Sequence, residues 1–215
     1  MGSRRDRIKF LFFRIIRTLK VRALSIKRIF AKPKLPDGER RLIHLGCGEI
    51  NSPGFINIDA RPLPHVHFVG NVEDLSFLGD NYADLIYACC LLEHISHQKI
   101  LNVLWEWRRV LKKGGVLRLS VPDFDKILSV YDDNLKKLSV IIPPLMGGQD
   151  YEHNFHHSIY NKDYLIELLK KAGFIVVREW SPEKVENHDF EDWASKKFIV
   201  NGKEYAISLN LEAVK

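Results

Sequence analysis

The order of its segments predicts an α/β architecture, a mostly parallel sheet with helices on both faces. Three observations carry this. Short apolar runs bounded by turn formers alternate with stretches whose apolar residues recur at helical spacing. The first run, Leu42, Ile43 and Leu45 around His44, ends in Gly46-Cys47-Gly48, where a backbone without Cβ can turn sharply. A second run, Phe55-Ile56-Asn57-Ile58-Asp59, follows within a few residues and ends in an acid.

The remaining elements follow from pattern and punctuation. Residues 66–69 are expected as a third strand and 82–88 as a fourth, its apolar run implying burial on both faces. Helix is clearest over 97–112, where Ile100, Leu101, Leu104, Trp107, Val110 and Leu111 share one side and Gly114-Gly115 should stop it. A fifth strand over 116–121 closes at Pro122, a helix spans 124–139, and 141–161 reads as a loop rich in Pro, Gly and His. A helix over 163–172 stops at Gly173, and strands over 174–180 and 205–211 complete the set, the last preceded by a turn at Asn201-Gly202. Residues 49–54 are too few for a crossover helix, so the first crossover is reduced to a turn.

At 215 residues the chain suits one domain with an appendage. Three cysteines, two of them the adjacent Cys89 and Cys90, make no disulfide framework and point to a reducing, cytoplasmic compartment. No run approaches the ~18 apolar residues of a membrane span, and arginines interrupt any signal-like core near the start. Charge divides the chain in two. Residues 1–34 hold twelve Lys or Arg against the single Asp6, a net +11, whereas residues 35–215 carry −5.

Residues 4–30 read as a basic amphipathic helix. Ile8, Phe12, Ile15, Ile16, Leu19, Ile26 and Phe30 fall on one side, with Arg7, Lys9, Arg14, Arg17, Lys20, Lys27 and Arg28 on the other. Such a helix can lie in the headgroup layer of an anionic membrane, peripheral to its inner face. It can also dock on a partner protein or on its own domain. Nucleic acid is disfavoured, because the interleaved residues are aliphatic or phenylalanine and the body is acidic.

A strand ending in G-x-G at the edge of an α/β sheet is where nucleotide-like cofactors sit. The third glycine of a dinucleotide fingerprint is missing, which disfavours NAD. Together these residues resemble a class I S-adenosylmethionine-dependent methyltransferase of the type 11 kind. The likeness spans 41–180. It rests on Leu45-Gly46-Cys47-Gly48, on Asp59, on the run 84–88 followed by Leu92-Glu93-His94, and on Glu106, Arg109 and Gly114-Gly115 ahead of Val121-Pro122. The reduced first helix and Gly147-Gly148-Gln149-Asp150 with Asn154 and His156 further resemble a group found beside glycan and polysaccharide biosynthesis.

The resemblance implies a Rossmann-like seven-stranded sheet with an antiparallel last strand, and S-adenosyl-L-methionine as cofactor. It implies that Leu45, Gly46, Cys47 and Gly48 run along the methionine part and that Asp59 holds the ribose hydroxyls. Ala60 and Val72 would flank the adenine, and Cys89 and Cys90 would lie under the sulfonium. Asn71, where many members carry Asp, would accept from the adenine amino group through its side-chain oxygen.

Transfer to an oxygen needs the nucleophile held in line at ~3–3.5 Å and a proton acceptor, usually His or a carboxylate. The loop Tyr151–His157 concentrates imidazoles. His156, in the Asn-x-His match, is the expected catalytic base, with His153, His157 and Glu152 as further candidates. These histidines can equally be surface residues, and no carboxylate or cysteine stands at a known metal-cage spacing, so no metal is expected. Glu93-His94 read as residues that cap and orient the next helix, though either can line the pocket. Cys89 and Cys90 read as small buried hydrophobes in themselves, and Trp105 and Trp107 as packing residues. The Asp/Asn-Pro-Pro-aromatic stretch of amino-methylating enzymes on nucleic acids is absent, Ala88-Cys89-Cys90-Leu91 standing in its place. The acceptor class that agrees with tail and loop is a glycan or a glycolipid precursor; a soluble small molecule or a protein side chain, with the tail docking on another protein, is a second class. A non-catalytic cofactor-binding or scaffolding protein recruited through the basic helix is the third class.

Overall fold

The computed structural model describes residues 33–215, so the basic helix expected over 4–30 lies outside the described residues. In chain order the strands are β1 (Leu42–Leu45), β2 (Phe55–Asp59), β3 (Phe68–Val69), β4 (Ala83–Cys89), β5 (Leu111–Pro122), β6 (Val176–Glu179), β7 (Phe198–Val200), β8 (Lys203–Tyr205) and β9 (Ser208–Val214). The helices are α1 (Ile100–Val110), α2 (Phe124–Asp133), α3 (Leu138–Met146) and α4 (Lys162–Lys171). Seven strands form one sheet in the order β3-β2-β1-β4-β5-β9-β6. Strands β1 to β5 pair in parallel, and β9 runs antiparallel to both β5 and β6, as expected of the last strand.

Alternation along the strands builds two different faces. Ile43, Leu45, Ile58, Ile86, Leu117, Leu119 and Leu211 point to one, where α1 and α4 cover them. Helix α1 contributes Ile100, Val103, Leu104, Trp107 and Val110, an apolar stripe at helical spacing. Each such side chain, fully buried, is worth roughly 1.5–3 kcal/mol.

The opposite face departs from expectation. Among the described residues no helix covers it, because β1 and β2 are joined by a turn too short to form one. Residues 181–197 lie there instead. Val185, Phe190 and Ala194 pack with Trp180 on Leu42, Phe55, Leu85 and Tyr87. The segment is tied down by hydrogen bonds from Arg118 Nη1 to the Glu186 carbonyl at 2.8 Å and from Asn210 Nδ2 to the Ala194 carbonyl at 3.0 Å. Tyr87 donates to Asp192 beneath it. On this face Glu212 sits between two arginines, 2.8 Å from Arg118 and 2.8 Å from Arg178.

Other boundaries moved for local reasons. The first long helix is confined to Ile100–Val110, and Gly114-Gly115 sit inside β5 near a register shift against β4 rather than capping the helix. The helix expected over 124–139 stops at Asp133, where Leu135 and Lys136 take left-handed conformations. The expected loop then begins as α3, despite Pro143 and Pro144 within it. Ser139, the residue four before the first of these prolines, is exposed, so the carbonyl that loses its helical donor can turn to water. Asn201-Gly202 closes a separate β7–β8 hairpin, and the last strand starts three residues later than expected.

Candidate active site

The C-terminal ends of β1, β2 and β4 meet at a cleft of about 600 Å³, the position where open α/β sheets bind ligands. Gly46, Asp59, Ala60, Asn71, Val72 and Cys90 line it. Gly46 has φ +61°, and a Cβ there would lie 2.7 Å from Leu91 Cδ1, so only glycine keeps the turn this tight. Asp59 is buried at the end of β2. Its Oδ2 accepts from the Gly48 amide at 2.7 Å, and its Oδ1 accepts from the Arg61 amide at 2.8 Å and from Arg61 Nε at 3.1 Å. The carboxylate therefore clamps the glycine turn as well as facing the cleft.

Arg61 also lines the cleft, and its Nη1 is buried without a hydrogen-bond partner. That orphaned cationic donor suits an anionic group on a ligand. Nothing in the sequence pattern singled it out. Across the cleft, Asn71 Oδ1 accepts from the Glu73 amide at 3.0 Å, which leaves one lone pair on that oxygen for a ligand. The wall carrying Asn71 and Val72 is held by Trp107, whose indole donates to the Val72 carbonyl at 2.8 Å. Arg109 braces the same loop through Glu106, Asp80 and the carbonyls of Leu75 and Leu78. The Glu106 and Arg109 of the family-like motif thus position the cleft rather than touch it.

A second cavity of about 300 Å³ adjoins the first, sharing Cys90 and His94 with it. Its polar floor is Glu93, His94 and His156. Glu93 is 1% exposed, and neither carboxylate oxygen has a hydrogen-bond partner. Burial, only partly offset by the residue's own backbone, pushes its pKa up to about 8. His156 Nδ1 donates to the Pro144 carbonyl at 3.1 Å, and its Nε2 stands 4.0 Å from Glu93 Oε1. Burial, reinforced by neighbouring His94, pushes its pKa down to about 4, so the imidazole is neutral with a lone pair on Nε2. Burial also lowers the pKa of His94, whose Nδ1 bonds the Phe155 carbonyl at 3.1 Å.

Gly147 shapes this loop. Its φ is +77°, and a Cβ would come within 2.6 Å of the Asn154 carbonyl oxygen and 3.0 Å of the His156 ring. Gly147→Ala is expected to cost about 1–3 kcal/mol of stability, a fall of roughly 3–9 °C in Tm by thermal unfolding. Ligand affinity of the larger cleft should change little, because Gly147 is not among the residues lining it.

The sequence-derived candidates separate in the structure. Gly46, Asp59, Ala60, Asn71, Val72 and Cys90 converge on the larger cleft. Leu45 is core, and Cys47 packs with Leu63 and Val66. Gly48 acts through its amide on Asp59. Cys89 turns to the opposite sheet face, against the Tyr87 cluster, because neighbours on a strand alternate. It does not share the place expected for it beside Cys90. His156 reaches the smaller cavity, whereas His153 and His157 line the larger one. Glu93-His94 form a 3₁₀ turn, and α1 has no side-chain cap, so neither residue caps that helix. Trp107 is core, but Trp105 is 51% exposed, since residues two apart on a helix face apart.

Residues 51–119 match a family described as a methyltransferase domain. Among solved structures, the chain resembles a SAM-dependent methyltransferase from Archaeoglobus fulgidus at 15% identity, over 91% of this chain and 94% of that one, with a TM-score of 0.51. A SAM-dependent methyltransferase from Thermotoga maritima gives 17% identity over 96% and 97%, with a TM-score of 0.50. One from Methanosarcina mazei gives 17% over 87% and 96%, with a TM-score of 0.51. At such identities the likeness establishes the fold. No curated protein matches the sequence. The matched stretch, on this fold and with this cleft, supports an S-adenosylmethionine-dependent methyltransferase: the protein is an enzyme, and S-adenosylmethionine is the cofactor implied.

Proposed function

We propose that this enzyme methylates an oxygen of a glycan, a glycolipid precursor or a small molecule, working at the cytoplasmic face of a membrane. The observation that supports it best is the smaller cavity beside the cofactor cleft, with Glu93, His94 and His156 at its floor. A hydroxyl needs a proton acceptor where an amine can do without one, and the lone pair of neutral His156 is available at that place. The basic character of residues 1–34 supports docking on an anionic surface.

Asp59, Ala60, Val72 and Arg61 would hold the cofactor, which supplies an electrophilic methyl group on a sulfonium. The orphaned Nη1 of Arg61 fits its carboxylate, and the glycine turn brings backbone close to it. The chain's own part is to seat the acceptor hydroxyl in the smaller cavity, exclude water from it and take its proton.

The test begins with calorimetric titration of S-adenosylmethionine and S-adenosylhomocysteine into the full chain. Both should bind, and Asp59→Ala should weaken them about 10–100-fold, the worth of hydrogen bonds to a charged group. Candidate glycans and lipid-linked sugars are then assayed for methyl transfer, with and without anionic vesicles. A folded protein that binds neither adenosyl compound would sink the reading.

A further inference from the structure

We propose that Glu93, His94 and His156 form a binding site for a divalent first-row transition metal ion, with an acceptor oxygen as a further ligand. One donor atom from each residue can be chosen so that all three lie within 4.8 Å of one another. Bonds of ~2.0–2.2 Å to one ion require donors about 3–3.5 Å apart, so the ring would close by about an ångström. No histidine spacing in the sequence announced this. Glu93 and His94 come from a 3₁₀ turn after β4, and His156 returns to them from a distant loop.

Three features set the group apart from an incidental cluster. The Nδ1 of each histidine bonds a backbone carbonyl, Phe155 for His94 and Pro144 for His156. A carbonyl only accepts, so Nδ1 carries the proton and Nε2 keeps its lone pair, the tautomer and orienting bond that metal-ligating imidazoles show. The third donor is a carboxyl group 1% exposed with neither oxygen hydrogen-bonded, an arrangement that costs folding free energy unless a bound proton or a cation compensates it. Finally, the three donors sit on the floor of a cavity of about 300 Å³, which leaves coordination positions open toward its interior, as catalytic metal sites do.

Two imidazoles and one carboxylate suit zinc, manganese, iron or cobalt better than calcium or magnesium. Bound to such an ion, a hydroxyl is acidified. Its O–H bond can then break with the proton passing to the second oxygen of Glu93. His156 would serve as a ligand, its Nε2 pair given to the ion instead of the proton. The role of the hydroxyl rests on the methyltransferase reading, but binding of the ion does not.

The experiment uses the full chain, stripped with chelator and dialysed, then titrated with Co²⁺ and followed by visible absorption, with Zn²⁺ followed by calorimetry. One ion per chain is expected. Glu93→Gln, His94→Ala and His156→Ala should each weaken it at least ~10-fold, and His97→Ala, an exposed histidine outside the group, should not. Thermal unfolding of the same samples reports that each variant is folded. Should a variant not fold, X-ray absorption of zinc-loaded wild type decides instead, with two imidazole nitrogens expected. Folded wild type that takes up no ion, uptake untouched by Glu93→Gln and His156→Ala, or fewer than two imidazoles would overturn the site. S-adenosylhomocysteine binding without metal uptake overturns the metal site alone, and metal uptake without S-adenosylhomocysteine binding upholds it while removing the methyltransferase reading.

Discussion

His156→Ala is expected to lower methyl-transfer turnover by about 10²–10⁴-fold, the range of a positioned proton acceptor, and a loss of that order also follows where its Nε2 instead holds the ion that acidifies the hydroxyl. The cofactor affinity should stay within about twofold, because His156 lines only the smaller cavity and the cofactor residues lie in the larger one. Steady-state kinetics paired with calorimetric titration separates the two quantities. His153→Ala and His157→Ala should behave differently, since those imidazoles border the larger cleft and both are exposed. A large loss of S-adenosylmethionine affinity in His156→Ala, with turnover preserved at saturation, would reverse the assignment of the two cavities.

Glu212→Ala should lower the unfolding free energy by about 3–5 kcal/mol, the usual penalty for stranding a buried partner. The side chain of Arg118 is 8% exposed and that of Glu212 5%, so the cation left behind has little access to water. Arg178 is 60% exposed and loses little. For a chain of this size the deficit is a fall in Tm of roughly 10 °C by calorimetry. The double variant Arg118→Met with Glu212→Leu should recover most of it, because the pair's own desolvation penalty goes too. A Tm unchanged in Glu212→Ala would mean that the ion pair does not hold this face of the sheet.

Local constraints were legible in the sequence. The glycine turn and the acid ending β2 could be read because tight backbone geometry admits few residue types, and Asp59 and Gly46 do meet in one cleft. Parallel pairing followed from alternation of strands and helices. What escaped depends on chain returning from far away. Residues 181–197, rich in Glu, Asp and Lys, carry no periodic pattern that assigns them a place, yet Phe190, His188 and Asp192 pack with Trp180 and Tyr87. Glu93 next to a helix start resembles a cap, and only the fold shows its carboxylate buried and unpartnered. Strand direction decided Cys89 against Cys90, a matter of one residue of phase. Arg61 belongs to no motif, and only the fold brings it beside Asp59 into the cleft.

The position of β9 bears on how this chain is made. Ser208–Val214 is synthesised after both of its neighbours, yet it lies between β5 and β6, and among the described residues β6 joins the sheet only through it. A nascent chain therefore carries β5 with an unpaired edge, and α4 with no sheet extension beneath β6, until residues 208–214 leave the ribosome. At ~5–20 residues per second the wait is short, but through it the edge is open to wrong pairing. Closure of the sheet, and of the face that residues 181–197 cover, thus waits on β9 and is built on distant contacts, the kind that folds slowly.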